Sequence, residues 1–463
     1  MTVQGGAVKR ISLVDDSFLR IESRRQPFHI AMLMLFEPPP DAPKDFVAQL
    51  AARLRQSTRA AAPFNQRLVV RRGLHYWVED EDFDLGHHFV HTSLPQPGRI
   101  RELLALVSRV HAGHLDRDYP LWRMYLVEGL EDGRVALYMK IHHSVVDGVA
   151  GIRMVSEMMA STIEASLQRP PPWEVRRVRA DNRLLPVPTP AVGILPALRS
   201  LVQDRSDPIR PLLRELRQTF VDFRHRNPDL ALAGQAPRTI FNTKISATRR
   251  FAAQSFATER IKAVASAYDA TSNDVVLAMC SGALRAYLQA QEQLPERSLL
   301  AAVPVSVRRD DSQLGNKVAF TIARLGTELN DPAARLKAIR DSMNYNKSRF
   351  RDLTPSQVQA YAALSLLPGA AGLVLGLAAD KTLGNVVISH VPGPRTDMYW
   401  QGARLVGLYP VSLLTDGAAL NITVVSRHEA VDFGLIACRK AVPNMQRLLD
   451  HLEDALKELE VTL

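Results

Sequence analysis

The stretch Lys140-Ile-His142-His143-Ser-Val-Val-Asp147-Gly148 decides the fold of this 463-residue chain, because it ends a strand and carries reactive side chains. The residues leading into it, 133–141, alternate with a period of two, which predicts a β-strand with one apolar face. If the alternation continues to residue 143, His143 lies on the apolar, interior face of the strand and His142 lies on the opposite face. The stretch therefore predicts a histidine held at the end of a buried strand.

This block has the composition of an acid–base site. An imidazole in a dry interior can stay neutral and accept a proton near pH 7. Asp147 follows His143 by four residues and could fix the local backbone through an ion pair or hydrogen bonds. Gly148 permits a positive φ or a close backbone approach. We therefore interpret His143 as a candidate general base.

A metal site, a serine hydrolase and a structural histidine pair are the other interpretations of this block. A metal site needs further ligands at recognisable spacing, and His-Glu-x-x-His is absent from the sequence. A serine hydrolase needs Gly-x-Ser-x-Gly, which is also absent. A bare histidine pair is most often structural, and His87-His88, which has no Asp-Gly after it, is assigned no chemistry.

Composition excludes several classes of protein. Lysine and arginine number 58 against 48 acidic residues, and the net charge of +10 favours an anionic partner such as nucleic acid, lipid headgroups or a phosphorylated small molecule. The two cysteines, Cys280 and Cys438, exclude a disulfide scaffold and indicate a reducing compartment. No apolar core of a secretory signal follows Met1. A cytoplasmic location is therefore expected.

Local patterns divide the chain into three zones. Residues 1–168 and 246–463 both mix strand and helix patterns, whereas 169–245 is rich in proline and arginine. We therefore predict two lobes joined by a linker. The patterns predict helices over 150–167, 272–290 and 442–459, and strands over 299–305, 385–391, 419–427 and 430–437.

The linker combines positive charge with an apolar stripe. From Arg169 to Arg226 there are twelve arginines, six acids and no lysine. A stripe of leucine and phenylalanine between arginines suits a helix lying in an anionic membrane interface, but a helix docked on a lobe has the same pattern, and both interpretations stay open. Nucleic acid is not expected, since few aromatics interleave with the arginines and no nucleic-acid-binding motif is present. The stripe consists of Leu212, Leu213, Leu216, Phe220 and Phe223.

A second apolar segment imitates a membrane span. Residues 355–379 contain no charge, and Gly372-Leu-Val-Leu-Gly376 matches the small-residue pairing motif of membrane helices. Pro368, Gly369 and several polar residues interrupt the segment. A buried or surface-dipping hairpin is therefore favoured over a span.

Beyond these patterns, His-His-x-x-x-Asp-Gly after an alternating strand resembles the acyltransferase signature of the superfamily that contains chloramphenicol acetyltransferase and peptide-synthesis condensation domains. More closely, the chain resembles the bacterial wax ester synthase/acyl-CoA:diacylglycerol acyltransferase family over nearly its whole length. In the first half, the resemblance rests on Ile11-Ser-Leu-Val-Asp-Asp-Ser-Phe-Leu19, Pro27-Phe-His29, Leu115-Asp-Arg-Asp-Tyr-Pro120-Leu121-Trp122 and Gly133-Arg134.

The second half carries further motifs in the expected order, and the series is far more specific than any one of them. Two positions depart from the family pattern. His390 stands where the family usually has asparagine, and Ser426-Arg427-His428 replaces an aromatic residue often found there. These departures bear on acyl chain length and leave the reaction type unchanged. The motifs are Ser272-Asn273-Asp274-Val-Val-Leu-Ala278, Val303-Pro-Val-Ser-Val-Arg308, Leu314-Gly315-Asn316, Val391-Pro392-Gly393-Pro394, Asp416 and Leu420-Asn421-Ile-Thr-Val.

The resemblance implies an α/β fold with mixed sheets, in two chloramphenicol-acetyltransferase-like lobes with an active-site tunnel between them. The lobe 1–168 would carry the His-His motif, 169–245 would be the linker, and 246–463 the second lobe. Long-chain acyl-CoA would be the acyl donor and co-substrate, and diacylglycerol or a fatty alcohol the acceptor. No metal or cofactor is expected. Substrates of this kind imply peripheral contact with the inner membrane face and lipid inclusions.

The resemblance also assigns roles to residues. His143 would be the general base in a direct transfer without a covalent intermediate, and Asp147 its structural anchor. His142 would pack or orient, or share the proton transfer. A pairing of Arg308 with Asp147 across the lobes is a hypothesis from motif order alone. Substrate-binding or structural roles are assigned to Pro120, Trp122, Asn273, Asp274, Arg308 and Ser389.

Some of these roles have plainer alternatives. Asn273 and Asp274 also suit a helix start, where they would cap the helix. Pro120 and Trp122 suit packing better than substrate contact. For the whole chain, two other functions stay open: an acyltransferase that uses a carrier-protein donor or a glycolipid acceptor, and a lipid-surface protein without catalysis. The sequence does not identify the preferred acceptor, the acyl length, the oxyanion donor or the oligomeric state.

Overall fold

A computed structural model describes residues 8–146, 148–175, 210–225, 227, 229–306, 318–350, 353–354, 357–358, 361 and 384–461. The strands are β1 Lys9–Arg10, β2 His29–Glu37, β3 Gln66–Arg71, β4 Leu74–Glu79, β5 Phe89–Ser93, β6 Trp122–Glu128, β7 Val135–His142, β8 Arg249–Ala257, β9 Leu300–Ser306, β10 Val318–Arg324, β11 Val386–Pro392, β12 Tyr399–Trp400, β13 Ala403–Val411, β14 Leu420–Ser426 and β15 Ala430–Cys438. The helices are α1 Leu13–Ile21, α2 Phe46–Arg55, α3 Leu85–His88, α4 Ile100–Ala112, α5 Gly148–Glu157, α6 Ile163–Leu167, α7 Arg210–Arg224, α8 Thr258–Ala267, α9 Ser272–Gln289, α10 Pro332–Phe350 and α11 Arg447–Val461.

Two six-stranded mixed sheets form the frame of the molecule. The first sheet has the order β12-β13-β2-β7-β6-β5, and the second has the order β10-β9-β11-β14-β15-β8. In the first sheet β5 and β6 are parallel, and in the second β11 is parallel to both β9 and β14. Three short strands form a separate sheet, β1-β4-β3. The α/β fold with mixed sheets is therefore confirmed.

The chain returns to the first sheet late in the sequence. Strand β13 pairs with β2 from Val411 opposite Ala31 to Arg404 opposite Glu37. The same strand lies directly on the second sheet, because a Cβ added to Gly434 on β15 would lie 2.0 Å from the carbonyl oxygen of Pro410. The first sheet thus contains strands from both halves of the chain, and the domain boundaries near 168 and 246 stay predictions.

Strand β7 is buried on both faces. All eight of its residues are buried. Val135, Leu137, Met139 and Ile141 pack in a core with β6 and the tryptophans of the first sheet. Ala136 and Tyr138, on the other face, belong to the larger core that includes α9 and the second sheet. The central strand therefore links two cores.

Most predicted elements are confirmed, and one is wrong. Strands β9, β11, β14 and β15 and helices α9 and α11 lie where the patterns predict them, within a few residues at their ends. The predicted single helix over 150–167 is instead α5 and α6. Between them Ala160 pairs with Tyr399 through two backbone hydrogen bonds of 2.9 and 2.7 Å. Pairing with β12 satisfies backbone groups that a continuous helix would have bonded internally.

The segment 355–379 lies almost wholly outside the described residues. Among the helices that the structure describes, none combines the length and apolarity needed to cross a membrane.

Candidate active site

The two histidines of the motif lie at the end of the central strand β7. His142 is the last residue of the strand and is opposite His29 of β2. His143 begins a turn, and its backbone N–H donates to the carbonyl oxygen of Phe28 at 2.8 Å. Because the strand ends at His142, strand alternation does not fix the direction of the His143 side chain. The His143 ring lies against Phe18, with 4.9 Å between ring centroids.

His142 is held from two sides. Its Nδ1 accepts the backbone N–H of Ser144 at 3.1 Å and is hydrogen bonded to the Ser144 hydroxyl at 2.7 Å. Its Nε2 lies 3.6 Å from Oε1 of Glu22, and both side chains are almost fully buried. His142 is thus fixed in the protein interior, whereas His143 is only partly buried.

The turn of the motif shares an apolar core with residues of both sheets. Val145 of the turn belongs to the same apolar core as Val425 at the end of β14. Val146, also from the turn, and Val391, from the end of β11, pack against that core. The core around the turn that carries His143 thus extends to the second sheet. A tunnel between the lobes stays a prediction.

Trp122 lies deep in the first core. Its indole N–H donates to the carbonyl oxygen of Phe64 at 2.8 Å, and its ring stacks on His88 with centroids 4.5 Å apart. His88 donates from Nδ1 to the Trp122 carbonyl, and burial lowers the pKa of His88 to about 4. Pro120 lies two residues before Trp122, where strand β6 begins. These contacts are packing contacts within the described residues.

Asp274 forms a capping box at the start of α9. Thr271 accepts the Asp274 backbone N–H at 3.2 Å, and the Asp274 carboxylate accepts the Thr271 backbone N–H at 2.9 Å. Asn273 is the second residue of the helix and is half-buried. Ser389 on β11 is half-buried opposite Thr423. The structure therefore gives Asp274 a capping contact and places Ser389 within the second sheet.

Three predicted site positions need comment. Asp147 and Arg308, and therefore their predicted pairing, lie outside the described residues. Gly148 begins α5 without a positive φ, and a Cβ there would meet nothing within 4 Å. The expectation that Gly148 has a positive φ or a close backbone approach is therefore wrong. A helical φ and open space around the Cβ position would admit other residues.

The two departures from the family pattern have defined environments. His390 Nε2 is hydrogen bonded to the Ser426 hydroxyl at 2.6 Å, and burial lowers the pKa of His390 to about 4. Arg427 forms an ion pair with Asp432, which is fully buried. His390 is therefore neutral at physiological pH, and Arg427 belongs to a contact between β-strands.

Sequence patterns did not single out a buried polar layer beneath the motif. Lys140 donates from Nζ to the carbonyl oxygens of Val110 and Gly113 at 2.9 and 2.8 Å. Burial, reinforced by Arg123, lowers the pKa of Lys140 to about 7. His111 accepts from the Tyr138 hydroxyl at 2.9 Å, and burial lowers its pKa to about 3. The layer includes Glu22, His29, His111, Tyr138, Lys140 and His142.

The fold is that of condensation-domain proteins. The first condensation domain of the CDA synthetase superposes with a TM-score of 0.59, at 14% identity, over 98% of this chain and 96% of that chain. At this identity the likeness shows the fold alone.

Closer relatives show the family. The family model for the wax ester synthase/diacylglycerol acyltransferase catalytic domain matches residues 11–276, and the WS/DGAT C-terminal domain matches residues 314–460. The O-acyltransferase WSD of Acinetobacter baylyi is 43% identical, over 96% of each chain. A putative diacylglycerol O-acyltransferase of Mycobacterium tuberculosis is 42% identical, over 97% of this chain and 99% of its own. The structure of the wax ester synthase/diacylglycerol acyltransferase from Marinobacter aquaeolei VT8 matches with a TM-score of 0.81, at 43% identity, over 98% of this chain and 99% of that chain. The chain belongs to the wax ester synthase/diacylglycerol acyltransferase family.

Proposed function

We propose that this protein transfers a long-chain acyl group from acyl-CoA to the hydroxyl of diacylglycerol or of a long-chain alcohol. The observation that carries the proposal is the position of His143, in the turn after the central strand, whose Val145 shares an apolar core with Val425 of the second sheet. Family membership over nearly the whole chain supports the same reaction class.

In the proposed reaction, His143 removes the proton from the acceptor hydroxyl while the oxygen of that hydroxyl attacks the thioester carbonyl. The tetrahedral intermediate then collapses, the carbon–sulfur bond breaks, and the imidazolium returns the proton to the leaving thiolate. General-base assistance of this kind contributes roughly 10²–10⁴-fold. The remainder must come from alignment of the two substrates and from donors facing the oxyanion.

The proposed transfer is direct and uses acyl-CoA as its co-substrate, without a metal or other cofactor. A thioester is already activated, so a covalent enzyme intermediate is unnecessary. Burial raises the pKa of Cys280, which makes it a poor nucleophile. Among the described residues, the group with three potential metal ligands, Asp397, His428 and Glu429, is fully at the surface.

We also propose that α7 brings the enzyme to an anionic lipid surface, either the inner membrane face or a lipid inclusion. One face of the helix is docked, since Asp222 and Glu215 both pair with Arg349 of α10. Leu212, on this docked side, is buried, so the predicted stripe does not lie on a single exposed face. The docked interpretation of the linker helix therefore holds for one side of α7.

The other side of α7 is apolar and exposed. Leu213, Phe220 and Phe223 have exposed fractions of 55%, 60% and 50%. Four exposed arginines lie beside these side chains, which complements an anionic surface. The docked face keeps the apolar face in a fixed position on the protein. The arginines are Arg210, Arg214, Arg217 and Arg224.

Vesicle binding tests this surface. Replacing Leu213, Phe220 and Phe223 together by serine should weaken binding to equimolar phosphatidylglycerol–phosphatidylcholine vesicles at least tenfold, since each buried large side chain contributes ~1.5–3 kcal/mol. The matched control replaces three exposed apolar residues elsewhere, Val70, Ile163 and Val461, by serine and should bind as the wild type does. Equal binding by both triple variants, measured by flotation, would remove α7 from the proposal.

Thiol release tests the reaction. Purified protein should release CoA from palmitoyl-CoA only when hexadecanol or dioleoylglycerol is present, and His143→Ala should abolish that release. The ratio of the two rates identifies the preferred acceptor, and EDTA should leave both rates unchanged. Release without an acceptor would indicate a thioesterase. No release from folded, vesicle-bound protein would favour a carrier-protein donor or a non-catalytic lipid-surface protein.

A further inference from the structure

A buried carboxylate lies beneath both histidines of the motif. Glu22 follows α1, and its side chain is only 5% exposed. Arg117 donates to its Oε2 at 2.8 Å, and the backbone N–H of Phe28 donates to its Oε1 at 3.0 Å. Burial raises the pKa of Glu22, but hydrogen bonding and charge from His142, with the Phe28 and Arg117 donors, lower it to about 2. Glu22 is therefore ionised at neutral pH.

Ser144 sets one tautomer of the His142 ring, and Glu22 faces the protonated side of that ring. The Ser144 backbone N–H donates to His142 Nδ1, so Nδ1 is an acceptor and carries no proton. In a neutral ring the proton is then on Nε2, which lies 3.6 Å from Glu22 Oε1. A buried anion facing Nε2 stabilises the proton there by direct electrostatic attraction.

The contact with Phe28 reaches His143 through the backbone of that one residue. The Phe28 N–H is bonded to Glu22, and its carbonyl oxygen accepts the backbone N–H of His143 at 2.8 Å. The Phe28 ring stacks on Phe18 at 5.6 Å, and Phe18 lies against the His143 ring. A displacement of Phe28 would therefore move both the backbone and the ring contact of His143.

We propose that Glu22 is a positioning residue for acyl transfer, which holds the His142 ring by attracting its Nε2 proton and, through Phe28, fixes the place of His143. The expected loss of kcat rests on the proposed function. The expected contacts of Glu22 with His142 and Phe28 do not. Glu22 touches neither substrate nor the reacting atoms in this account, and it acts only through the two histidines. It is a different residue from the aspartate of the motif, to which the anchoring role is assigned.

The test combines kinetics with ring-nitrogen NMR. Glu22→Gln keeps the shape of the side chain but removes its charge, and kcat should fall by roughly tenfold or more, the effect of losing an orienting carboxylate behind a histidine. The KM for palmitoyl-CoA should stay unchanged. In ¹⁵N-histidine-labelled protein, the Ser144 N–H should keep His142 Nδ1 bare in both proteins, whereas the Nε2–H resonance of His142 should shift in Glu22→Gln.

Two further variants separate positioning from simple stability. Glu37→Gln removes an exposed ion pair with Arg404 at 2.8 Å and should match the wild type in every measurement. Arg117→Met removes the Glu22 ion pair but keeps the carboxylate, so it should lower the unfolding temperature while preserving the His142 tautomer and most of kcat.

The outcomes are distinct. Full kcat in Glu22→Gln, or an equal loss of kcat in Arg117→Met, would overturn the proposal. An unchanged Nε2–H resonance of His142 in Glu22→Gln would overturn it as well. If Glu22→Gln does not fold, the wild-type spectrum decides, because a proton on His142 Nδ1 contradicts the proposal. An inactive wild-type protein that shows the expected tautomer would count against the proposed function and support the contact.

Discussion

At the scale of single residues, the second face of β7 shows what alternation can and cannot predict. The period of two correctly predicted a strand with Val135 to Ile141 on an apolar face. Alternation of this kind is typical of strands that have one face toward solvent. Instead Tyr138 and Lys140 are buried against α4, where backbone carbonyls and His111 satisfy them. These partners are far away in sequence, so no local pattern could indicate them.

Glu22 was missed for the same reason. It lies among charged residues near the end of a short helix, where acids are usually solvated. Only the approach of Arg117, Phe28 and His142 makes it a buried anion. By contrast, the positions of His142 and His143 at the strand end followed from the sequence, because periodicity and the turn are local properties.

Lys140 should make stability depend on pH. Its pKa of about 7 in the folded protein is below the unfolded value of 10.5, because burial disfavours the charge. Between these values the unfolded state binds more protons, so the wild-type free energy of unfolding gains up to ~1.4 kcal/mol per pH unit from this residue as pH rises. In Lys140→Met this gain should disappear. Urea denaturation at pH 7 and pH 9 measures it as the difference between the two proteins.

Lys337→Met is the control for this measurement. Lys337 is 70% exposed and pairs with Asp341, so its removal should leave the pH slope of the wild type unchanged. Equal slopes for Lys140→Met and the wild type would show that Lys140 keeps its ordinary pKa in the folded protein.

At the scale of elements, helices and strands with internal signals were predicted well. Thr271 is the N-cap of helix α9, and Asp274 follows it three residues later. Both hydrogen bonds of the capping box are present. The predicted helix over 150–167 failed at Ala160, because its backbone pairs with Tyr399, more than two hundred residues away. Long-range pairing of this kind overrides a helical periodicity and leaves no mark in the local sequence.

The capping box gives a prediction about the Asn-Asp motif. Thr271→Ala removes the hydroxyl that accepts the Asp274 N–H, and the free energy of unfolding should fall by roughly 0.5–2 kcal/mol. Turnover with palmitoyl-CoA should stay unchanged if Asp274 serves the helix start alone. Ser272→Ala, one residue further on, is the control and should change neither quantity. A large loss of turnover in folded Thr271→Ala would instead place this motif at the substrate.

At the scale of the whole molecule, a buried ion pair joins the two sheets. Asp432 on β15 accepts the backbone N–H of Leu408 on β13 at 2.8 Å and the hydroxyl of Ser255 on β8 at 2.6 Å. Arg427 pairs with Asp432 and also donates to the carbonyl oxygen of Val406 at 2.9 Å. Burial raises the pKa of Asp432, and Arg427 opposes this shift. The contact thus connects a strand of the first sheet to two strands of the second.

The contacts of Arg427 could not be inferred from the family motifs, because the motifs show only that Ser426-Arg427-His428 replaces an aromatic residue. Its partner is five residues further along the chain, across the turn between β14 and β15. The Ser255 bond lies within the β8–β15 pair, whereas the bonds to Leu408 and Val406 exist because β13 returns to the first sheet and lies on the second. The cluster is therefore a consequence of the topology.

Removing the charge of Asp432 should loosen the junction between the sheets. In Asp432→Asn the Arg427 guanidinium loses its counter-ion in a buried setting, and the free energy of unfolding should fall by about 3–5 kcal/mol. The matched control is Arg404→Gln, because Arg404 lies on the same strand β13 but forms an exposed pair with Glu37. Its cost should be within ~1 kcal/mol. Urea denaturation measures both, and equal small costs would mean that apolar packing alone holds β13 against the second sheet.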